Sequence, residues 1–141
     1  MTADELMIGN FVRVNKDVSI RKGTIVEIHA IDADRTFQKF GLQGCATCVP
    51  IDGPDWLSGG VWMDYLDPIP LTIEILEKND FKLIAGVWYI QTKERKPVQI
   101  CFKGNIITMS INCTPVPINL KYVHQLQNAL KLYGIKRKIK V

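Results

Sequence analysis

This chain lacks the long apolar runs and the basic, apolar leader that would direct it into or through a membrane. No stretch of its 141 residues approaches the roughly 20 consecutive apolar residues of a spanning helix, and its first six residues include two acids and no base. We therefore expect a cytoplasmic protein that does not enter a membrane. Its four cysteines are then expected to be reduced thiols.

Histidine is scarce as well, which limits catalytic and metal-binding chemistry. His29 and His124 are the only two histidines, and no Ser/His/Asp order or phosphate-cradling glycine loop accompanies them. Asp32 and Asp34 resemble a metal pair, but no third ligand is suggested, so a turn is the favoured role. We predict no catalytic residues, no metal site and no other cofactor.

The segment 45–48 (Cys-Ala-Thr-Cys) has the two-residue spacing of a zinc knuckle or a redox motif. A structural zinc site needs four ligands, and a second cysteine pair is missing. A redox motif places a helix directly after its first cysteine, whereas Pro50 follows closely here. Because cysteine is among the most often buried residue types, we interpret Cys45 and Cys48 as structural.

Charge is unevenly divided along the chain. Residues 1–70 carry six Lys/Arg and ten Asp/Glu, a net charge of −4, and residues 71–141 carry twelve and four, a net charge of +8. This asymmetry favours an acidic partner for the second half, either nucleic acid or an acidic protein surface. An equally good interpretation is that the two halves attract each other.

Strand and turn patterns predict an α+β fold that is mainly antiparallel β. Five short strands at 9–14, 24–31, 36–42, 45–51 and 60–65 alternate with glycine-rich turns. The first hairpin resembles that of an SH3-like barrel, and we assign residues 1–67 to such a barrel. At residues 67–70 two prolines are expected to stop strand pairing and to mark the boundary.

Residues 68–141 are predicted to form a β-meander covered by one C-terminal helix. Thr72 is the expected N-cap of a short preceding helix that ends near Asn79. The meander strands are predicted at 81–84, 87–92, 98–102 and 106–111. The alternative is that the two parts pack as one unit.

The C-terminal helix has clear predicted boundaries. Asn119 is the expected N-cap, with Ile118 and Val123 placed as a hydrophobic staple. Gly134 is suited to the left-handed residue after the helix, and Ile135 to the apolar contact of a Schellman motif. The following residues alternate between basic and apolar and are predicted to form a short basic strand.

Three segments of the chain resemble a known family. They are residues 5–10 (ELMIGN), residues 68–76 followed by Phe81, and residues 121–130 (KYVHQLQNAL). In this order they are similar to a family of small proteins from gut Bacteroidetes bacteria, their phages and other mobile elements. The resemblance implies a cytoplasmic accessory role connected with a phage or mobile element, and it carries over no catalytic residue.

Basic residues of the second half form three groups, at 93–96, 103 and 136–140, near the aromatic residues Trp88, Tyr89 and Phe102. Aromatics beside basic residues on a sheet suit single-stranded nucleic acid, although edge lysines also prevent aggregation. One face of the predicted helix is polar and carries His124, Gln127, Asn128 and Lys131. This face either contacts bases and phosphates or is simply solvated. The candidate binding residues are Lys93, Arg95, Lys96, Lys103, His124, Gln127, Asn128, Lys131, Lys136, Arg137, Lys138 and Lys140.

Two functions are compatible with these patterns. The first is a non-enzymatic binding module that contacts protein or nucleic acid through the basic second half. The alternative is a structural protein that self-associates or adds its tail strand to a partner's sheet, without binding nucleic acid. Trp56 and Trp62, beside Gly-Pro turns, are either protein-binding anchors or plugs for the end of a small barrel.

Overall fold

The structure is a computed structural model that describes residues 1–141, with the exception of the Asp55 side chain. The chain forms two compact units, Met1–Ile69 and Pro70–Val141. Each contains a five-stranded antiparallel sheet, and the second also contains two α-helices. The predicted fold class, α+β and mainly antiparallel β, is confirmed. Among the described residues, no helix has the length and apolar character needed to cross a membrane.

The first unit contains five strands and four short 3₁₀ turns. The strands are β1 (Phe11–Val14), β2 (Ile25–Phe37), β3 (Leu42–Pro50), β4 (Gly59–Trp62) and β5 (Leu66–Pro68), and the turns lie at Ala3–Glu5, Gln38–Phe40, Asp55–Leu57 and Met63–Tyr65. The strands pair in the order β4-β3-β2-β1-β5. In this order the fifth strand lies beside the first.

Two sequence expectations for this unit are wrong. Residues 36–42 do not form a strand of their own, because β2 continues to Phe37 and a 3₁₀ turn over Gln38–Phe40 leads into β3. The prolines near the boundary also do not stop pairing, since Pro68 lies opposite Val12 in the β1–β5 ladder. β5 is an edge strand, where the missing N–H of proline breaks no ladder hydrogen bond.

The core of the first unit lies on one face of its bent sheet. Strands β1 to β4 and the turn before β5 each contribute apolar side chains to it. Its most deeply buried members are Val12, Val14, Val26, Ile28, Ala46, Cys48, Val61, Met63 and Leu66.

The second unit is a meander accompanied by two helices. Its elements are α1 (Ile73–Lys78), β6 (Lys82–Ile84), β7 (Val87–Ile90), β8 (Val98–Lys103), β9 (Ile106–Ile111), β10 (Thr114–Pro115) and α2 (Val123–Leu132). The strands pair in sequence order. Cross-strand rows such as Trp88, Ile100 and Met109 are buried together. One face of the meander is therefore core, and the two helices supply further buried apolar side chains.

α1 begins and ends as the sequence predicts. The side chain of Thr72 accepts a hydrogen bond from the backbone N–H of Ile75 at 3.3 Å, and Asn79 is the C-cap.

The start of α2 is different from the prediction. Asn119 is not the N-cap, because Leu120 pairs with Ile107 and Tyr122 pairs with Pro70 in isolated bridges that keep this segment extended. The staple between Ile118 and Val123 fails for the same reason, since Val123 is the first helical residue.

A glutamine performs the capping role at this end of α2. Oε1 of Gln125 accepts hydrogen bonds from the backbone N–H groups of Lys121 at 2.7 Å and Tyr122 at 3.0 Å. Two N–H groups at the helix entrance are thereby satisfied.

The C-terminal end of α2 is a complete Schellman motif. Gly134 has φ 75°, and its N–H donates to the carbonyl oxygen of Lys131 at 3.1 Å, while the N–H of Ile135 donates to that of Leu130 at 2.8 Å. Ile135 and Leu130 are both buried. The predicted helix stop is confirmed.

Candidate functional site

The loop between β7 and β8 is folded around a buried threonine. Oγ1 of Thr92 donates to the carbonyl oxygen of Lys96 at 2.8 Å and accepts from the backbone N–H of Lys96 at 3.1 Å. The N–H of Arg95 also donates to the carbonyl oxygen of Thr92, at 3.0 Å. These bonds close the loop into a tight turn with Lys93 and Glu94 near its tip.

The chain beyond Gly134 is not a strand, contrary to the sequence expectation. Asn79, only 2% exposed, takes the place of a partner strand. Its Nδ2 donates to the carbonyl oxygen of Lys140 and its Oδ1 accepts from the N–H of Lys140, both at 2.7 Å. Ile139 is buried beside this clamp. The tail is therefore held within the fold of the second unit.

Three further hydrogen bonds hold the tail. The guanidinium of Arg137 donates to the carbonyl oxygen of Asn79 at 2.8 Å and to the carboxylate of Asp80 at 3.1 Å. Oε1 of Glu94 accepts from the N–H of Lys136 at 3.0 Å. The bond between Glu94 and Lys136 joins the β7–β8 loop to the tail across 42 residues of sequence.

The loop and the tail together line an open pocket of about 270 Å³. Its lining residues are Thr92, Lys93, Glu94, Lys136, Arg137, Lys138 and Lys140. Five side chains are cationic and one is anionic, so the pocket is strongly positive. The backbone N–H of Lys136 lowers the pKa of Glu94, because a hydrogen bond to the carboxylate favours its ionised form.

Five of the twelve predicted binding residues thus meet in one place. Seven do not line this pocket. Lys96 turns to the end of α2, where its Nζ donates to the carbonyl oxygen of Tyr133 at 2.6 Å. Arg95, Lys103 and Lys131 are exposed elsewhere on the unit.

The proposed polar face of α2 is not an open surface. His124 is 3% exposed, and its ring stacks on that of Tyr122 with centroids 5.7 Å apart. Gln127 and Asn128 are half-buried. Helical spacing alone predicts that His124 lies on a polar contact face of α2, but packing around α2 buries its side chain.

Among the aromatic residues of the meander, Trp88 does not lie on an open surface, whereas Tyr89 and Phe102 are half-buried. Trp88 is buried, and Tyr89 donates from its hydroxyl to Oε1 of Gln91 at 2.7 Å. Trp88 is therefore a core residue and cannot stack on a base.

The cysteine pair of the first unit lies inside the protein. Cys45 and Cys48 are buried free thiols, and burial, with a smaller contribution from Cys45, raises the pKa of Cys48 to about 12. A thiol with this pKa is protonated at neutral pH and is not a nucleophile. The described residues contain no group of three or more His, Cys, Asp or Glu side chains placed to hold a metal ion.

Sequence reasoning missed the residues that assemble the pocket. The sequence pattern indicates only a helix end at Asn79 and Asp80, and it assigns no role to Glu94. Their partners are 42 to 61 residues away in the chain, so no local pattern reveals them.

Comparison with protein-family models, with curated proteins and with solved structures finds no match for this chain.

Proposed function

We propose that the protein is a non-enzymatic binding module whose second unit binds the phosphate backbone of nucleic acid in the basic pocket. The observation that carries this proposal is the convergence of Lys93 with the tail cations in one pocket. Converging charges of one sign raise the local concentration of polyanions and accelerate their association. A cytoplasmic accessory role in a phage or mobile element is the corresponding biological proposal, and it rests on the family resemblance alone.

The way the tail is held supports this proposal. Asn79 and Glu94 bind main-chain groups of the tail rather than its lysine side chains. The ammonium groups of Lys136 and Lys140 are exposed, so they reach a ligand without first breaking a clamp. Because the backbone is already ordered, binding costs little conformational entropy.

The test is fluorescence anisotropy of labelled single- and double-stranded DNA and RNA, at about 50 and 200 mM salt. Phosphate contacts release counterions, so the affinity is expected to fall steeply between these conditions. The pocket variant is Lys136→Gln/Lys138→Gln/Lys140→Gln. The control is Lys82→Gln/Lys103→Gln/Lys121→Gln, which removes the same charge from exposed positions of the same unit outside the pocket.

The two triple variants separate a site from a general charge effect. On duplex DNA, we expect the pocket variant to reduce the magnitude of the negative slope of log K against log salt by about two to three, since each phosphate contact contributes about 0.9 to that magnitude. The control is expected to lower it far less. Equal losses in the two variants would show that net charge, and not the pocket, attracts the nucleic acid.

A further inference from the structure

The first unit carries three aromatic rings in contact on its surface, outside the hydrophobic core. Phe37 ends β2, Phe40 lies in the following 3₁₀ turn, and Trp62 ends β4. The ring centroids of Phe37 and Phe40 are 4.9 Å apart, edge to face. Those of Phe37 and Trp62 are 6.2 Å apart, with their planes within 17° of each other. We call Phe37, Phe40 and Trp62 the aromatic platform.

The platform is open to solvent. Phe40 is 63% exposed and Phe37 is 42% exposed, and Trp62 is half-buried. Burying an aromatic side chain in a core stabilises a fold by a few kcal/mol, and these rings forgo part of that gain. Contiguous exposed apolar patches commonly mark binding sites. The arrangement is therefore suited to a ligand that covers ring faces.

Two cations flank these rings. The guanidinium carbon of Arg35 lies 5.7 Å from the Trp62 ring centroid, and the ammonium of Lys39 lies 5.7 Å from that of Phe40. Cations beside aromatic rings supply phosphate contacts next to stacking surfaces. A proline-rich peptide would use the rings but has no need of the cations, so this charge pattern favours nucleic acid.

We propose that the aromatic platform stacks the bases of single-stranded nucleic acid, while Arg35 and Lys39 contact the adjoining phosphates. A duplex cannot use it, because its base faces are already stacked on one another. The first 70 residues have a net charge of −4, so the platform contributes stacking at short range and not long-range attraction. This inference is independent of the basic pocket, which lies in the other unit and is built from other residues.

The test uses the full chain with a labelled thymidine strand of about 16 nucleotides, the upper site size of a small single-strand binding fold, and a duplex of equal length. Phe40→Leu keeps an apolar side chain without a π face, and Phe40→Trp keeps the π face. We expect Phe40→Leu to weaken single-strand binding roughly fivefold or more, the low end for losing one stacked base, with duplex binding unchanged. Phe40→Trp should bind the single strand at least as well as the parent.

Controls distinguish the platform from the pocket and from general surface effects. Ile8→Ala removes an equally exposed apolar side chain, 59% exposed, and should leave binding unchanged. The salt slope should not change in Phe40→Leu, whereas it does change in the lysine variants of the pocket. In a Trp56→Phe background, quenching of the remaining tryptophan fluorescence by the single strand should reveal stacking on Trp62, since Trp88 is buried.

Three results would overturn the inference. The first is single-strand affinity within twofold of the parent in Phe40→Leu. The second is an equal loss on the single strand and the duplex, which would indicate a general structural effect. The third is a polyproline peptide whose binding is lost in Phe40→Leu while oligonucleotide binding is retained, which would assign the platform to a peptide.

Discussion

Replacement of Asn79 by alanine tests how the basic pocket is held together. The Asn79 side chain makes three hydrogen bonds at 2.7 Å: two with the main chain of Lys140 and one with the carbonyl oxygen of Ile75. Asn79→Ala removes all three bonds and leaves the α1 backbone intact.

The cost follows from the number of bonds and from solvent access. A hydrogen bond contributes about 0.5–1.5 kcal/mol net, so three correspond to about 1.5–4.5 kcal/mol. Water can reach Lys140 once the clamp is gone, which places the expected loss in unfolding free energy in the middle of this range, at about 2–3 kcal/mol. Ile139 remains buried and opposes full release of the tail, since burying such a side chain contributes about 2 kcal/mol.

Urea denaturation and amide hydrogen exchange measure the two parts of this prediction. The exchange protection of the Lys140 amide should fall by roughly 30-fold or more, because 1.4 kcal/mol corresponds to a factor of ten. The matched control is Asn119→Ala, at an exposed asparagine that the sequence suggests as a helix cap but that precedes α2 by four residues. It should change stability by less than about 0.5 kcal/mol, as for a surface substitution.

The reasoning would be refuted if Asn79→Ala destabilised the protein no more than Asn119→Ala and left exchange at Lys140 unchanged. A loss of about 1 kcal/mol in Asn119→Ala would instead indicate that Asn119 does cap a helix. Loosening of the tail should also weaken nucleic-acid binding in the pocket, which the anisotropy assay would detect.

Three further predictions address other parts of the structure. The pKa of Cys48 rises from 9.0 to about 12 on folding, so between pH 9 and 12 only the unfolded thiol ionises, and the free energy of unfolding should fall in that range but not below pH 9. Urea denaturation at a series of pH values should show a loss of up to about 1.4 kcal/mol per pH unit, which Cys48→Ala removes. Gly44→Ala should destabilise the protein by about 1–3 kcal/mol more than Gly86→Ala in thermal or urea unfolding. Both glycines have φ 79°, but only at Gly44 would the new Cβ meet another side chain, that of Met63 at 2.8 Å. Equal losses of stability would mean that backbone strain alone matters. Gln125→Ala should cost about 1 kcal/mol, the usual value of a lost cap, measured by urea unfolding; no change would mean that water replaces its two bonds.

Signals confined to a few neighbouring residues predicted structure well. Thr72 caps α1 and Gly134 ends α2 as predicted, because a helix cap and a left-handed residue depend only on the adjacent backbone. The meander strands were located to within about two residues, since alternating burial is visible in the sequence. The prediction for residues 36–42 failed because β2 is unusually long for a strand.

Longer-range contacts reversed other predictions. Asn119 has the right chemistry for a cap, but the bridge between Leu120 and Ile107 holds its neighbour extended. The tail has the alternating pattern of a strand, yet side chains of Asn79 and Glu94 take up main-chain groups that a strand would offer to a neighbour. His124 has the spacing of a surface residue and is buried by tertiary packing.

The sequence by itself determined the α+β class, the helix stops, most of the strands and the excess of positive charge in the second half. These depend on composition and on the periodicity of neighbouring side chains, which the local backbone imposes. Only the tertiary structure decided which cations share a pocket and which aromatic rings meet on the surface. Lys93 and Lys140 are separated by 47 positions, and Phe37 and Trp62 by 25, so their proximity results from how the strands and the tail are packed.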